Sequence, residues 1–300
     1  MTKQSKSYLI WGIIIVALVV GFVWFKQKGS SSSATVLNPV STITHGHGLA
    51  IDVGDPTRLH IATHHGLLVL VNDKDLYRVG TSQDDYMGFS PHPTDAKVVF
   101  SSGHPRTGGN IGVQRSDDGG FTWKKISKGT NGPVDFHAMA VSAANPNLMY
   151  GWYQSALQRS QDGGNTWEIV TRNIPQIIQL VADPKDENVV YAATSQGLLV
   201  SRNKGAEWSN VSDALQSGAV VALAINPQDP AKMLSFSQQL GLAKSADSGA
   251  TWEKLTETFG GETVLFIAIN KQQPDTVYIL TESNAIYKST DGGNGWNKIR

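Results

Sequence analysis

The sequence predicts an all-β chain, a six-bladed β-propeller preceded by one N-terminal transmembrane helix. Three observations predict it. Related octapeptides, SDDGGFTW in their first copy, start at Ser116, Ser160, Ser201, Ser245 and Ser289, in steps of 44, 41, 44 and 44 residues. That period suits one four-stranded blade per repeat. Each copy follows three short apolar stretches separated by turns rich in Asn, Pro, Asp or Gly, the grammar of small β-meanders. Finally, Tyr8 to Phe25 is an uncharged apolar run of about the length that crosses a bilayer as a helix.

The octapeptide reads as a tight hairpin turn. The carboxylates of Asp118, Asp162, Asp247 and Asp291 fold onto backbone N–H groups, as Asx-turns do, and Gly120, Gly164, Gly205, Gly249 and Gly293 supply positive φ. Trp123, Trp167, Trp208, Trp252 and Trp296 then open the outgoing strand with a large ring to bury. The third copy, SRNKGAEW, has Asn203 in the Asp position, and Asn makes the same turn. On these residues the chain resembles the Asp-box, or BNR, repeat of sialidases, sortilin-type receptors, photosystem II assembly-factor-like propellers and bacterial membrane-anchored propellers labelled glycosylhydrolase. The resemblance implies that the boxes sit on turns away from the ligand site, so it speaks for architecture and not for catalysis.

In chain order, residues 1–7 read as a short cytoplasmic tail and 8–25 as a signal-anchor helix with Trp11 and Trp24 near its two ends, where interfacial aromatics belong. A signal peptide cut near Ser33 and Ala34 is the alternative, although its apolar core would be unusually long. Residues 26–42, with the run GSSSSA, read as a Ser-rich stalk, which makes the protein a single-pass cell-membrane protein with its propeller, residues 43–300, extracytoplasmic. Lys plus Arg and Asp plus Glu balance at 25 each and no basic cluster marks the body of the chain, which argues against a nucleic-acid partner. The chain has no cysteine, so disulfides, thiolate metal sites and a cysteine nucleophile are excluded.

The blades follow. A copy without an octapeptide runs from about Ile43 as HGLAIDVGDPTRLHIATHHGLLVLV, and blades two and three start near Asp84 and Val134. Blades four, five and six open with IIQLVAD at Ile177, VVALAIN at Val220 and VLFIAIN at Val264. The chain is expected to enter on an inner strand and leave on an outer one, so that the ring closes by packing blade one on blade six.

In such propellers the heads of the first strands and the ends of the second strands share one face, here called the top. Taking Asp52, Ser90, Ser142, Asp183, Asn226 and Asn270 as equivalent, the residues five places earlier are His47, Asp85, His137, Ile178, Val221 and Leu265. Titratable groups thus gather over blades one to three. His45, His47, His64, His65, His104 and His137 are expected to converge there with Asp84, Asp85, Asp135 and Arg106, while His60 is expected to be packed and His92 to lie in a turn on the opposite face. Such a set suits Zn²⁺ or Cu²⁺, because neutral imidazole is a good borderline ligand and carboxylates complete the sphere. A polar ligand without metal, or histidines that merely hydrogen-bond at a polar mouth, fits the same residues.

A glycosidase is the runner-up. It needs two carboxylates roughly 5 to 10 Å apart, and Asp84, Asp85, Asp135 and Glu282 are the available acids near the mouth. Trp152 and Tyr153 either stack on a sugar ring beside Arg106 or fill the interface between blades. The arginine triad and the Arg-Ile-Pro motif that sialidase resemblance would imply are missing, so sialidase activity is not expected. The sequence therefore leans towards a tethered module that binds a protein or glycan ligand at its top face, with an enzyme or an assembly factor for a membrane complex as the other readings.

Overall fold

The computed structural model describes residues 35–300. The expected anchor at 8–25 lies outside them, and among the described residues no helix is long and apolar enough to cross a membrane.

Val36–Arg300 form six antiparallel sheets, each winding in sequence order from the axis outward. Blade one carries Gly46–Ile51, Arg58–Thr63, Gly66–Val71 and Asp75–Val79, and blade two carries Asp85–Pro91, Val99–His104, Val113–Ser116 and Lys124–Ser127. Blades three to six begin at Ala138, Ile177, Val220 and Val264. The six first strands contact one another in a ring, which closes where blade six meets blade one. Blade one has a fifth strand, Leu37–Pro39, on the outer edge beside Asp75–Val79. The segment 26–42 read as stalk therefore ends in ordered structure, and the described chain enters on the outside of blade one rather than on an inner strand. A row of β-rich apolar residues explains the addition, since Leu37 packs against Ala62, Leu67, Val69 and Val79.

Alternating side chains fill the spaces between blades. Tyr150, Leu157, Ile177, Leu180 and Val190 join blades three and four, and Leu59, Ile61, Leu70, Leu280 and Ile286 join blades one and six. The boxes form the expected turns. Ser116 Oγ accepts from Gly120 N at 2.8 Å and donates to Asp118 Oδ1 at 2.7 Å, while Asp118 accepts from Thr122 N at 2.9 Å. Trp123 Nε1 donates to Gly120 O at 3.0 Å, and the same bond recurs at Trp167, Trp208, Trp252 and Trp296.

At the far ends of the first strands the structure corrects the sequence register. Asp52, Ser142, Asp183, Asn226 and Asn270 each use a side-chain oxygen to accept backbone N–H groups of the following turn. In blade two this is done by His92, whose Nδ1 accepts from Thr94 N and Asp95 N at 3.3 and 3.2 Å, and not by Ser90, which is buried and donates to Met139 O. His92 is thus a turn residue with a structural task. The residue equivalent to His47 in blade two is therefore Met87, and Asp85 stands two places above it, level with His45.

Candidate functional site

The top of blades one to three is assembled from strand heads. In blade one, His45 and His47 flank Gly46, whose N–H donates to Asn284 Oδ1 of blade six at 3.0 Å. A Cβ at Gly46 would run into the Leu280 side chain, so glycine lets blade six approach closely here. His64 follows the second strand of blade one. In blade two, Asp85 opens the first strand directly across from His104 at the end of the second. In blade three, Asp135 and His137 stand just ahead of the strand that begins at Ala138, with His137 Nε2 2.8 Å from Asp135 Oδ2.

Two groups result. In the first, the rings of His45, His47 and His64 lie 4.2 to 5.1 Å apart by centroid, and one nitrogen from each lies within 4.8 Å of the others. Asp85 reaches over from the neighbouring blade: its Oδ2 is 2.6 Å from His64 Nδ1 and its Oδ1 is 3.7 Å from His47 Nε2. His47 Nε2 and Asp85 Oδ1 are both buried with no hydrogen-bond partner. Burial drives the His47 pKa down to about 4, partly countered by Asp85 and reinforced by His64, so this ring is neutral at pH 7. In the second group, His104 Nε2 and His137 Nε2 approach the same oxygen of buried Asp135, at 2.9 and 2.8 Å. The bond to Asp135 holds the His137 pKa above the ordinary value.

The remaining site residues of the sequence reading fall differently. His65 is exposed and belongs to neither group, and its carbonyl accepts from Arg78 Nε at 3.2 Å. Asp84 Oδ1 accepts from Arg106 N at 3.0 Å, which pins the loop after the second strand of blade two, and the Arg106 side chain donates to Gln83 Oε1. Glu282, on blade six, accepts from Thr263 N. Trp152 is 8% exposed and packed with Tyr150, Leu157 and Ile177, so it fills the interface between blades and presents no ring to a ligand. Tyr153 is half-buried, its hydroxyl accepting from Asn110 Nδ2 at 2.9 Å. His60 is buried against Asp52 Oδ2 at 3.2 Å, as expected of a packed residue. Sequence reasoning placed Asp85 and Asp135 with the histidines of the mouth and also offered them as catalytic acids, but it missed the pairings themselves: Asp85 with His47 and His64 of the preceding blade, and Asp135 with His104 of the preceding blade and His137 of its own. Their alignment with the preceding blade's His64 and His104 is the signal that was available.

Below the mouth the axis holds a cavity of about 220 Å³ bordered by His47, His137, Leu49, Phe89, Ile178 and Phe266, and a second of about 360 Å³ between Ile51, Val181, Leu223 and Ile267. The site is thus a polar rim over a shaft of mixed lining, where Gln179 stands among the apolar side chains and its Oε1 accepts from Leu223 N at 2.8 Å.

The Sortilin-Vps10 family (sortilin, neurotensin receptor 3) matches the chain over residues 240–300. No curated protein matches by sequence. Among solved structures, an ancestral GH74 enzyme superposes with a TM-score of 0.58 at 15% identity, covering 88% of this chain and 40% of its own. The present chain therefore spans well under half of that protein. YCF48 from Cyanidioschyzon merolae superposes with a TM-score of 0.56 at 17% identity, covering 88% of this chain and 87% of its own, and YCF48 has also been solved bound to D1 peptide. A propeller of a nidogen/laminin complex reaches a TM-score of 0.62 at 12% identity, covering 80% of this chain and 92% of its own. At these identities the likeness is one of fold, and it agrees with the Asp-box propeller architecture that the repeats express.

Proposed function

We propose that this Asp-box propeller is a binding module, held on the outer side of a cell membrane by residues 8–25, whose top face binds a Zn²⁺- or Cu²⁺-like ion at His45, His47, His64 and Asp85 and meets a ligand or protein partner there. One observation carries the reading: His47 Nε2 and Asp85 Oδ1 lie 3.7 Å apart, both buried and both without a hydrogen-bond partner. Two ligand atoms about 2.1 Å from a tetrahedral ion stand about 3.4 Å apart, so an ion between them satisfies both. Asp85 Oδ2, by accepting from His64 Nδ1, leaves His64 Nε2 bare for the same ion, the arrangement in which a carboxylate orients a metal-binding imidazole. The donor set is nitrogen and oxygen without sulfur, which suits Zn²⁺ or Cu²⁺.

The hydrolase reading has less support. Asp84, Asp85, Asp135 and Glu282 are all engaged by protein partners, and Trp152 offers no stacking platform. A protein or peptide partner is in keeping with a propeller that matches YCF48 over nearly its full length.

Metal content and thermal melting of the full chain, with and without Zn²⁺ or Cu²⁺, test the proposal beside His47→Ala. At a hundredfold excess over its dissociation constant, an ion that binds only the folded state adds about 2.7 kcal/mol. The wild type should gain more in midpoint and hold more ion than His47→Ala; an equal gain and equal ion content in the two proteins with every ion overturns the reading.

A further inference from the structure

We infer that the mouth carries a second, separate metal site, formed by His104, Asp135 and His137 at the junction of blades two and three. It stands independently of the first site, because the two share no ligand.

The argument starts with His104. Its Nδ1 lies 3.0 Å from Gly109 O, and a carbonyl only accepts, so Nδ1 carries a proton. In the neutral ring Nε2 then has a bare lone pair, yet it points at Asp135 Oδ2 from 2.9 Å. Two acceptors face each other at hydrogen-bond distance. Something positive belongs between them, either a second proton on the ring or a cation. His137 Nε2 arrives at the same oxygen from 2.8 Å, so two imidazoles and one carboxylate converge on one point. Ligands about 2.1 Å from an ion and at right angles to each other stand about 3.0 Å apart, close to both separations.

Asp135 supplies the independent observation. The residue is only 6% exposed, and its Oδ1 is buried with no partner. A buried carboxylate oxygen left without a donor is costly unless a cation satisfies it.

The supporting frame is built for ligand orientation. The loop 104–112 folds back so that Gly109 O fixes the His104 ring, and Asn110 Nδ2 ties the loop to Pro133 O at 3.0 Å and to the Tyr153 hydroxyl. A backbone carbonyl that takes the other ring N–H of a metal-binding imidazole fixes its tautomer and its orientation. The site also repeats the first by one blade, with His104 in the place of His64 and Asp135 in the place of Asp85. Met87 stands where the first site has His47, and His137 enters from the next blade instead. The side chains of His104 and His137 are 39% and 61% exposed, so solvent reaches the rim of the site and leaves room for an exchangeable ligand. Two imidazoles and one carboxylate with open positions suit a divalent first-row ion.

The test is Zn²⁺ stoichiometry on the full chain, by metal analysis after dialysis and by calorimetric titration. It compares wild type, Asp135→Asn, His104→Gln and His47→Ala, with circular dichroism as the folding control. Two ions per wild-type chain are expected, and one in each single variant. His104→Gln, at the exposed rim, reads the second site even if Asp135→Asn fails to fold. One ion in the wild type that Asp135→Asn and His104→Gln keep and His47→Ala loses removes the second site and leaves the first. One ion that behaves in the opposite way removes the first and leaves the second. No ion in any protein removes both.

Discussion

Residue by residue, the box turns show which atoms matter and which are exchangeable. In three boxes a Thr hydroxyl donates to the Asp carboxylate, as Thr166 Oγ1 does to Asp162 Oδ2 at 2.6 Å. Box three inverts the pair. Asn203 Oδ1 still accepts from Ser201 Oγ at 3.0 Å and from Glu207 N at 2.8 Å, but its Nδ2 donates to Glu207 Oε2 at 3.0 Å, with Glu207 in the Thr position. The donor has moved from position seven to position three. Asn203→Asp therefore sets two carboxylates face to face, and at neutral pH it is expected to cost about 1 kcal/mol on this exposed turn. Adding Glu207→Thr restores a donor and should return most of that loss. Urea unfolding of the two singles and the double closes the cycle. A double variant no more stable than Asn203→Asp alone would show that the exchange is not a coupled one.

At the level of the element, every box but the third is a turn clamped by an ionised carboxylate. The Thr166 hydroxyl and backbone hold Asp162 below the ordinary carboxylate range, the Thr251 hydroxyl and backbone bring Asp247 down to about 2, and the Gly295 N–H lowers Asp291. A carboxyl whose folded pKa is depressed contributes stability that is complete above its unfolded value near 4 and disappears as pH falls through the folded value. The unfolding midpoint is thus expected to fall between about pH 4 and about pH 2, and Asp247→Asn should flatten that slope. A wild-type midpoint flat across this window would rule the boxes out as acid-labile clamps. The boxes were legible in the sequence because five copies repeat one chemistry at one period. The register of blade two was not, for a chemical reason: five blades open the turn between their first two strands with an oxygen of Asp, Ser or Asn, and blade two does it with a ring nitrogen of His92. The nearest small hydroxyl, Ser90, is the obvious substitute in a bare sequence. Choosing it lowered Asp85 by one tier, to the level of His47, and hid its pairing with His64. Trp152 was ambiguous for a similar reason, since strand alternation cannot tell a ring facing a mouth from one facing the next blade.

For the molecule as a whole, closure is the exposed point of the design. Each blade is wound from its own consecutive strands, so no strand swaps between blade six and blade one. The join instead rests on a shared apolar cluster, on the Gly46 to Asn284 bond, and on Asp73 of blade one, which accepts from Lys288 Nζ at 2.6 Å and from the Tyr278 hydroxyl at 2.8 Å. Arg300 adds bonds to the carbonyls of Ser41 and Lys74, which fastens the chain end to the segment entering blade one. Burial is the largest influence on Lys288 and works to lower its pKa, but Asp73 and Tyr278 together outweigh it and raise the value. Its contribution is therefore complete below the unfolded lysine pKa of about 10.4 and is lost as pH rises through the folded value. Asp73→Ala leaves an ammonium and a phenol half-buried without their acceptor, at an expected cost of about 1 to 3 kcal/mol near neutral pH. Because a ring opened at one join frees the strands on both sides of it, hydrogen exchange should rise first in blades one and six, with blades three and four the last to respond. The gap in denaturant midpoint between Asp73→Ala and wild type should also narrow in alkali, once Lys288 loses its proton. Exchange that rises evenly around the ring, with a gap that ignores pH, would show that the apolar cluster alone closes the propeller.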